Sequence, residues 1–144
     1  MTYATVLVVN TAATLFMTGL IWFVQVVHYP LFGAVGRDGF AAYEQSHARL
    51  TTFVVGPPML VEAATALLLA ALRPHWTTYT GLALLAFIWI STALLQVPAH
   101  NALGSGFDAV VHSRLVSTNW IRTVCWTIRA VLCLTLLQRH LRVL

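Results

Sequence analysis

Hydrophobic residues dominate four segments of the chain, and each segment is long enough to cross a lipid bilayer. A transmembrane α-helix needs about 20 consecutive apolar residues. Segments of this kind run over residues 4–27, 50–72, 76–99 and 120–138. The pattern predicts an all-α fold in which residues 1–144 form a single integral membrane domain, a bundle of four transmembrane helices.

Two of the connections between these spans carry helical signals of their own. In the first connection Phe40, Tyr43, His47 and Leu50 recur at helical spacing. This predicts a short amphipathic helix between spans 1 and 2, either separate from span 2 or running into it. Asp38 is placed to cap that helix. The connection between spans 3 and 4 contains a glycine-rich turn followed by Asp108. Asp108 is a second N-cap candidate and predicts another short helix there.

Composition supports a membrane location and excludes several classes of function. The chain is 59% hydrophobic and 8% charged, with a mean hydropathy of +0.81, whereas a soluble domain carries about 25% charged residues. The net charge of +4 comes from eight arginines without any lysine, which excludes a lysine Schiff base and a lysine-containing phosphate loop. The arginines lie at span ends or inside spans rather than in a basic stripe, so nucleic acid is not an expected partner.

Four spans place most of the polar residues at one face of the membrane. The end of span 1, the start of span 2, the end of span 3 and the start of span 4 share that face. It collects His28, Tyr29, His47, His100, Asn101, Asp108, His112, Asn119 and Arg122. The opposite face holds Arg73, His75, Arg139, His140 and Arg142. Arginines near the span ends are about equal in number on the two faces, so the positive-inside rule alone does not decide the orientation. The pair of Arg139 and Arg142 favours a cytoplasmic location for both termini.

Three spans carry polar stripes at helical spacing. These are Trp22, Gln25 and His28 on span 1, Trp89, Gln96 and His100 on span 3, and Asn119, Arg122, Trp126 and Arg129 on span 4. Such residues must face the bundle interior, because a charge at the bilayer centre costs about 2.5–3.5 kcal/mol. At the helical rise, Glu62 and Arg129 both lie about 15–18 Å below the polar face. We expect an ion pair there, either for chemistry or only to fix the helix register.

The histidines at the polar face are candidate metal ligands. His28, His47 and His100 come from different helices and could converge on copper, iron or zinc. Tyr29 is a candidate redox-active or hydrogen-bonding neighbour. Further cofactor-binding candidates around the site are Gln25, Gln96, Asn119, Trp22 and Trp120. A site of two histidines and one carboxylate would suit iron, but Glu62 would then have to lie higher in the bundle than its depth indicates.

Two other functions fit the same pattern. In a b-type haem electron-transfer protein, His28 and His100 would be the axial ligands and Arg122 would pair with a propionate. In a non-enzymatic lipid-binding or carrier protein, Arg122 and Arg129 would hold an anionic or quinone-like head group. Bound metal or colour would indicate the metal site or the haem protein. A co-purifying lipid without metal would indicate the lipid-binding or carrier protein.

Three stretches of sequence carry a family resemblance. They are WFVQVVHYPLF at 22–32, FAAYEQSHARLTTFVVGPPMLVE at 40–62 and QVPAHNALGSGFDAVVHSRLVSTNWIRTVCWTIR at 96–129. In these stretches the chain resembles a family of small uncharacterised bacterial four-helix integral membrane proteins, which implies a multi-pass protein of the bacterial inner membrane. In size and number of spans it is more loosely similar to anthrone oxygenase-like and DoxX-like membrane proteins. The first of these likenesses suggests oxidation of a lipophilic aromatic substrate.

The function hypothesis that follows is a membrane oxidoreductase with a histidine-bound metal in a one-sided polar pocket. Its expected partners are membrane lipid and a lipophilic or quinone-like small molecule, and a homo-oligomer is compatible with the pattern. In this hypothesis Glu62 relays protons, while Arg122 and Arg129 stabilise negative charge on the substrate or an intermediate. Tyr29 completes the set of candidate catalytic residues.

Overall fold

Four long helices make up nearly all of the protein in the computed structural model, which describes residues 2–142. Within those residues there is no β-strand. The four helices are long and apolar enough to cross a membrane, and they run over Tyr3–Ala34, Arg37–Leu72, Trp76–Leu103 and Ala109–Leu141. The prediction of an all-α four-helix membrane bundle is therefore confirmed, and we call these helices spans 1 to 4.

The spans extend further than hydropathy indicates, so that each predicted connecting helix is continuous with the span that follows it. The segment predicted as an amphipathic helix is the first part of span 2, which begins at Arg37 without a break before Leu72. Its N-cap is Gly36, which has a φ of 85°, so Asp38 lies in the first turn and is not the cap. The helix predicted before span 4 is likewise the start of that span. Asp108 caps it as predicted, accepting backbone N–H bonds at 2.8 and 2.9 Å.

Spans 1 and 3 each contain one π-helical turn, at Val24–His28 and Thr92–Gln96. In each case a proline, Pro30 or Pro98, follows two residues later. Because proline has no N–H to donate, the carbonyl four residues before it loses its α-helical partner, and the helix widens locally. π-Turns of this kind are frequent at functional sites, and these two lie beside the predicted histidine ligands.

The bundle interior contains both large apolar side chains, such as Phe32 and Trp126, and polar ones, while other large apolar side chains face outward. Span 1 packs against spans 2 and 4, and span 3 packs mainly against span 4. Phe53, Leu94 and Val110 are 73%, 68% and 79% exposed, as expected for side chains that face lipid. Four apolar helices of this kind identify a multi-pass membrane protein, with its polar chemistry enclosed between the helices.

Candidate functional site

Side chains from spans 1, 2 and 3 meet at one end of the bundle interior. His28 ends the π-turn of span 1 and Tyr29 follows it. Glu44 and His47 lie near the start of span 2, and His100 lies near the end of span 3. We call these five residues the histidine cluster. Glu44 is fully buried and His47 and Tyr29 are nearly so. Burial of so many polar groups is stable only if they bind one another or a ligand.

Hydrogen bonds connect the cluster in two chains. In one, His28 Nε2 lies 2.9 Å from His47 Nδ1. In the other, the Tyr29 hydroxyl lies 2.8 Å from His100 Nε2, and His100 Nδ1 contacts Glu44 Oε1 in a close ion-pair geometry. Both ring nitrogens of His100 therefore have partners from other spans, which fix the orientation of its ring.

Glu44, His47 and His100 have the composition and spacing of a metal site. Their potential ligand atoms all lie within 4.8 Å of one another. Glu44 Oε2 is buried, and within residues 2–142 it has no hydrogen-bond partner. A buried carboxylate oxygen without a partner calls for an unseen donor or cation. Two histidines and one carboxylate form the ligand set of non-haem iron sites with open positions, and zinc accepts the same donors.

A cavity of about 250 Å³ adjoins two of these three residues, the histidines. His47, His100 and Tyr29 lie in its wall together with Gln96 and Arg122. The rest of the lining is mostly apolar and includes Met17, Leu20, Ile21, Val24, Val55, Met59 and Val97. A pocket with an apolar body and a few convergent polar groups is the usual form of a small-molecule site.

A second cavity, of about 210 Å³, lies on another side of His47. It is bordered by Phe23, Leu50 and Val54, which are exposed toward the lipid, and by His28. The two cavities share part of their lining between spans 1 and 2. The cluster is thus accessible from the apolar side of the bundle, where a lipophilic molecule would be dissolved.

Arg122 supplies a buried cation to the first cavity. Its guanidinium carbon lies 5.4 Å from the centre of the Trp126 ring. Within the described residues it forms no salt bridge, and its Nε has no hydrogen-bond partner. Because an unpaired buried charge is costly, Arg122 is well suited to bind an anionic or strongly polar oxygen of a ligand.

The structure brings several of the predicted site residues together and leaves others apart. Tyr29, His28, His47 and His100 lie in the cluster, and Gln96 and Arg122 line the adjoining cavity. His28 contacts His47 rather than joining the group of three that could bind one ion.

Four other predicted cofactor-binding residues lie away from that cavity. Asn119 Nδ2 donates to Gln25 Oε1 at 2.9 Å, and Gln25 Nε2 donates to the Val116 carbonyl at 3.1 Å. Trp22 and Trp120 pack edge to face at 5.6 Å between ring centres, and both are exposed on the outer surface. This arrangement places the amides in helix packing and the two indoles toward lipid.

The predicted pair of Glu62 and Arg129 forms deep in the bundle, with 3.0 Å between Arg129 Nη2 and Glu62 Oε1. Glu62 also accepts hydrogen bonds from Thr14 at 2.7 Å and from the Trp126 indole at 3.0 Å. Arg129 also donates to the Gly81 carbonyl. The pair ties all four spans together with every carboxylate oxygen occupied, and this geometry favours a structural role over proton relay.

Glu44 is the residue that sequence reasoning missed. Hydropathy places Glu44 in the connection between spans 1 and 2, and Glu62 is the one acidic residue that it places inside a span. A signal was nevertheless present, because Glu44 and His47 form a Glu-x-x-His pair. On a helix these two side chains lie on the same face and can bind one metal, as they do in di-iron carboxylate bundles.

Comparison with known proteins assigns no family or function to the chain. The chain matches no family model, no curated protein and no solved structure. The chemistry of the site therefore has to be inferred from the side chains that form it.

Proposed function

We propose that this protein is a membrane-embedded oxidoreductase that binds a transition metal ion at Glu44, His47 and His100. A lipophilic or quinone-like substrate would occupy the adjoining cavity. The observation that carries the proposal is the group of two histidines and one carboxylate, whose ligand atoms lie within 4.8 Å of one another. Its two histidines, His47 and His100, lie in the wall of a 250 Å³ cavity. Metal ligands beside an apolar pocket place a reactive centre next to a membrane-soluble molecule.

Iron(II) is the metal that the donor set favours. Two histidines and one carboxylate occupy three positions of an octahedral ion and leave the others for substrate or dioxygen. Hydrogen bonds from outer residues orient such ligands and raise their basicity. Here His28 would do this for His47, and Tyr29 for His100.

The cavity supports a flat, lipophilic substrate with at least one polar oxygen. Arg122 and Gln96 are placed to bind that oxygen, while the apolar side chains enclose the remaining surface. A balanced reaction of this class is the oxidation of a hydroquinone by dioxygen. The hydroquinone loses two electrons and two protons and becomes the quinone, and dioxygen gains them and becomes hydrogen peroxide.

The aromatic packing around the histidines favours a single ion over b-type haem. The Phe32 ring centre lies 5.0 Å from that of His47, and the Tyr29 ring centre lies 5.4 Å from that of His100. These rings fill the space that a macrocycle between histidines would need.

The same cavity without a metal would serve a carrier of lipophilic molecules. The metal content of the purified protein separates the oxidoreductase from the carrier.

Metal analysis of the purified protein tests the proposal. We expect near-stoichiometric iron, or full occupancy after anaerobic addition of iron(II), in wild-type protein and in a His140→Ala control at the other end of the bundle. Glu44→Gln and His47→Ala should each lower iron affinity at least tenfold, with unchanged size-exclusion profile and helicity. Failure of wild-type protein to bind iron, or full iron retention in both variants, would refute the site.

Turnover is tested separately with a short-chain hydroquinone and an oxygen electrode. Iron-loaded wild-type protein should consume dioxygen with the hydroquinone, and Glu44→Gln should not. If the protein binds iron but wild type and Glu44→Gln show the same oxygen consumption, the metal site stands and the oxidoreductase function is wrong.

We also propose in which membrane the protein lies and how it is oriented there. We place the protein in the bacterial inner membrane, with both termini in the cytoplasm near Arg139 and Arg142. The orientation is tested by fusing to the C-terminus a reporter that is active only in the cytoplasm. Activity of a periplasm-specific reporter at the same position would show the opposite orientation.

A further inference from the structure

A third cavity, lined partly by polar and charged side chains, lies at the end of the bundle opposite the histidine cluster. Its volume is about 680 Å³, and the start of span 1, the turn between spans 2 and 3 and the end of span 4 enclose it. The charged and polar side chains in its wall include Arg73, His75, Thr77, Arg139 and His140. Nothing in the proposed oxidoreductase chemistry uses this cavity.

The charge in this cavity is positive and uncompensated by acidic side chains. The sequence contains only four acidic residues. Asp38, Glu44 and Asp108 belong to the opposite end of the bundle, and Glu62 is paired with Arg129. Within residues 2–142 neither Arg73 nor Arg139 forms a salt bridge.

The donors of the cavity are held in place by their neighbours. The Arg73 guanidinium carbon lies 4.1 Å from the centre of the Tyr3 ring, and the Tyr3 ring packs edge to face against His140 at 5.4 Å. His75 caps span 3, with its Nδ1 accepting the Thr77 backbone N–H at 3.4 Å. In the neutral ring that acceptor role leaves the proton on Nε2, which is therefore a donor.

We propose that this cavity binds the phosphate group of an anionic phospholipid. Two arginines, a histidine donor and the N-terminus of span 3 form a set of donors that matches phosphate oxygens. The position favours a lipid over free phosphate, because the cavity lies at the ends of membrane helices. Leu72 and Trp76 flank the turn between spans 2 and 3 in sequence and are 50% and 63% exposed, as expected of apolar and aromatic side chains at a membrane interface.

Lipid titration by native mass spectrometry tests this proposal. Delipidated protein in detergent is titrated with phosphatidylglycerol and with phosphatidylcholine of the same acyl chains. We expect wild-type protein to prefer phosphatidylglycerol, and Arg73→Gln and Arg139→Gln each to weaken its binding about fivefold. Arg114→Gln, an exposed arginine near the other end of the bundle, is the matched control and should bind like wild type.

Three results would overturn the proposal. The first is equal affinity of wild-type protein for the two lipids, and the second is a loss in Arg114→Gln as large as in the cavity variants. The third is arginine-dependent binding of inorganic phosphate as tight as that of phosphatidylglycerol, which would make free phosphate the ligand. The iron content of the variants should stay unchanged, so this test is independent of the metal site.

Discussion

Replacing Glu62 by glutamine tests whether the deep ion pair holds the helices together or moves protons. The carboxylate accepts hydrogen bonds from Thr14 at 2.7 Å, from Arg129 Nε at 3.0 Å and from the Trp126 indole at 3.0 Å. In glutamine one acceptor oxygen becomes an amide NH₂, so at least one of these donors loses its partner. A hydrogen bond to a charged group contributes about 1.5–3 kcal/mol. The unpaired Arg129 charge raises the expected loss of unfolding free energy to about 3–5 kcal/mol.

The double variant separates the two roles. In Glu62→Gln/Arg129→Met the unpaired charge is gone, so we expect it to recover most of the lost stability. Arg114→Met, which changes an exposed arginine of the same span, is the control and should cost less than about 0.5 kcal/mol.

The assay is unfolding by sodium dodecyl sulfate in one mixed-micelle system, followed by far-ultraviolet circular dichroism, with oxygen consumption measured on the same samples. A structural pair predicts that the refolded double variant keeps its iron and its turnover. A loss below about 1 kcal/mol in Glu62→Gln contradicts the assigned energetics, since breaking a buried pair costs several times more. A stable, iron-loaded double variant without turnover would instead support proton relay through Glu62.

Three further changes give expected outcomes at other points of the molecule. Tyr29→Phe removes the hydroxyl that holds His100 and should weaken iron binding about 10–100-fold in a chelator competition; unchanged affinity would separate Tyr29 from the site. Arg122→Gln should leave iron content intact and weaken binding of a quinone probe, measured by quenching of tryptophan fluorescence, whereas equal quenching would exclude Arg122 as its anchor. Asp108→Ala removes two cap hydrogen bonds and should lower unfolding free energy by about 0.5–2 kcal/mol, with Asp38→Ala as the non-capping control; equal losses in both would contradict the cap assignment.

Hydropathy predicted the number and order of the helices because lipid contact itself selects apolar side chains. It misplaced the helix ends, since the first turns of span 2 carry exposed polar residues, among them Arg37, Asp38 and Gln45, and so fall outside the apolar stretch. That error put residues 37–49 outside the bundle and hid Glu44. The pair of Glu62 and Arg129 was predicted correctly, because both residues lie far inside their spans, where an error of a few residues at an end changes their relative depth little.

The contacts within the histidine cluster were beyond sequence reasoning for a different reason. A π-turn adds a residue to one turn of helix and so rotates everything after it about the helix axis. His28 is the last residue of such a turn on span 1, and Tyr29 on span 1 and His100 on span 3 follow such turns. Their directions therefore depend on local widening that a regular repeat of 3.6 residues per turn does not include.

Polar side chains are buried at two places in the bundle, at the histidine cluster with its adjoining cavity and at the deep pair of Glu62 and Arg129. The two places differ in how completely the hydrogen bonds of their side chains are made. Among the described residues three buried side-chain atoms have no partner, namely Glu44 Oε2, Asn119 Oδ1 and Arg122 Nε. Two of the three belong to the histidine cluster or to the wall of its cavity, and none belongs to the deep pair, where Glu62 is saturated. Folding satisfies buried polar groups wherever stability alone decides. The unsatisfied atoms at the histidine cluster and its cavity therefore support the proposal that a bound ion and a polar ligand complete the structure there, while the saturated pair of Glu62 and Arg129 favours a role in holding the helices in register.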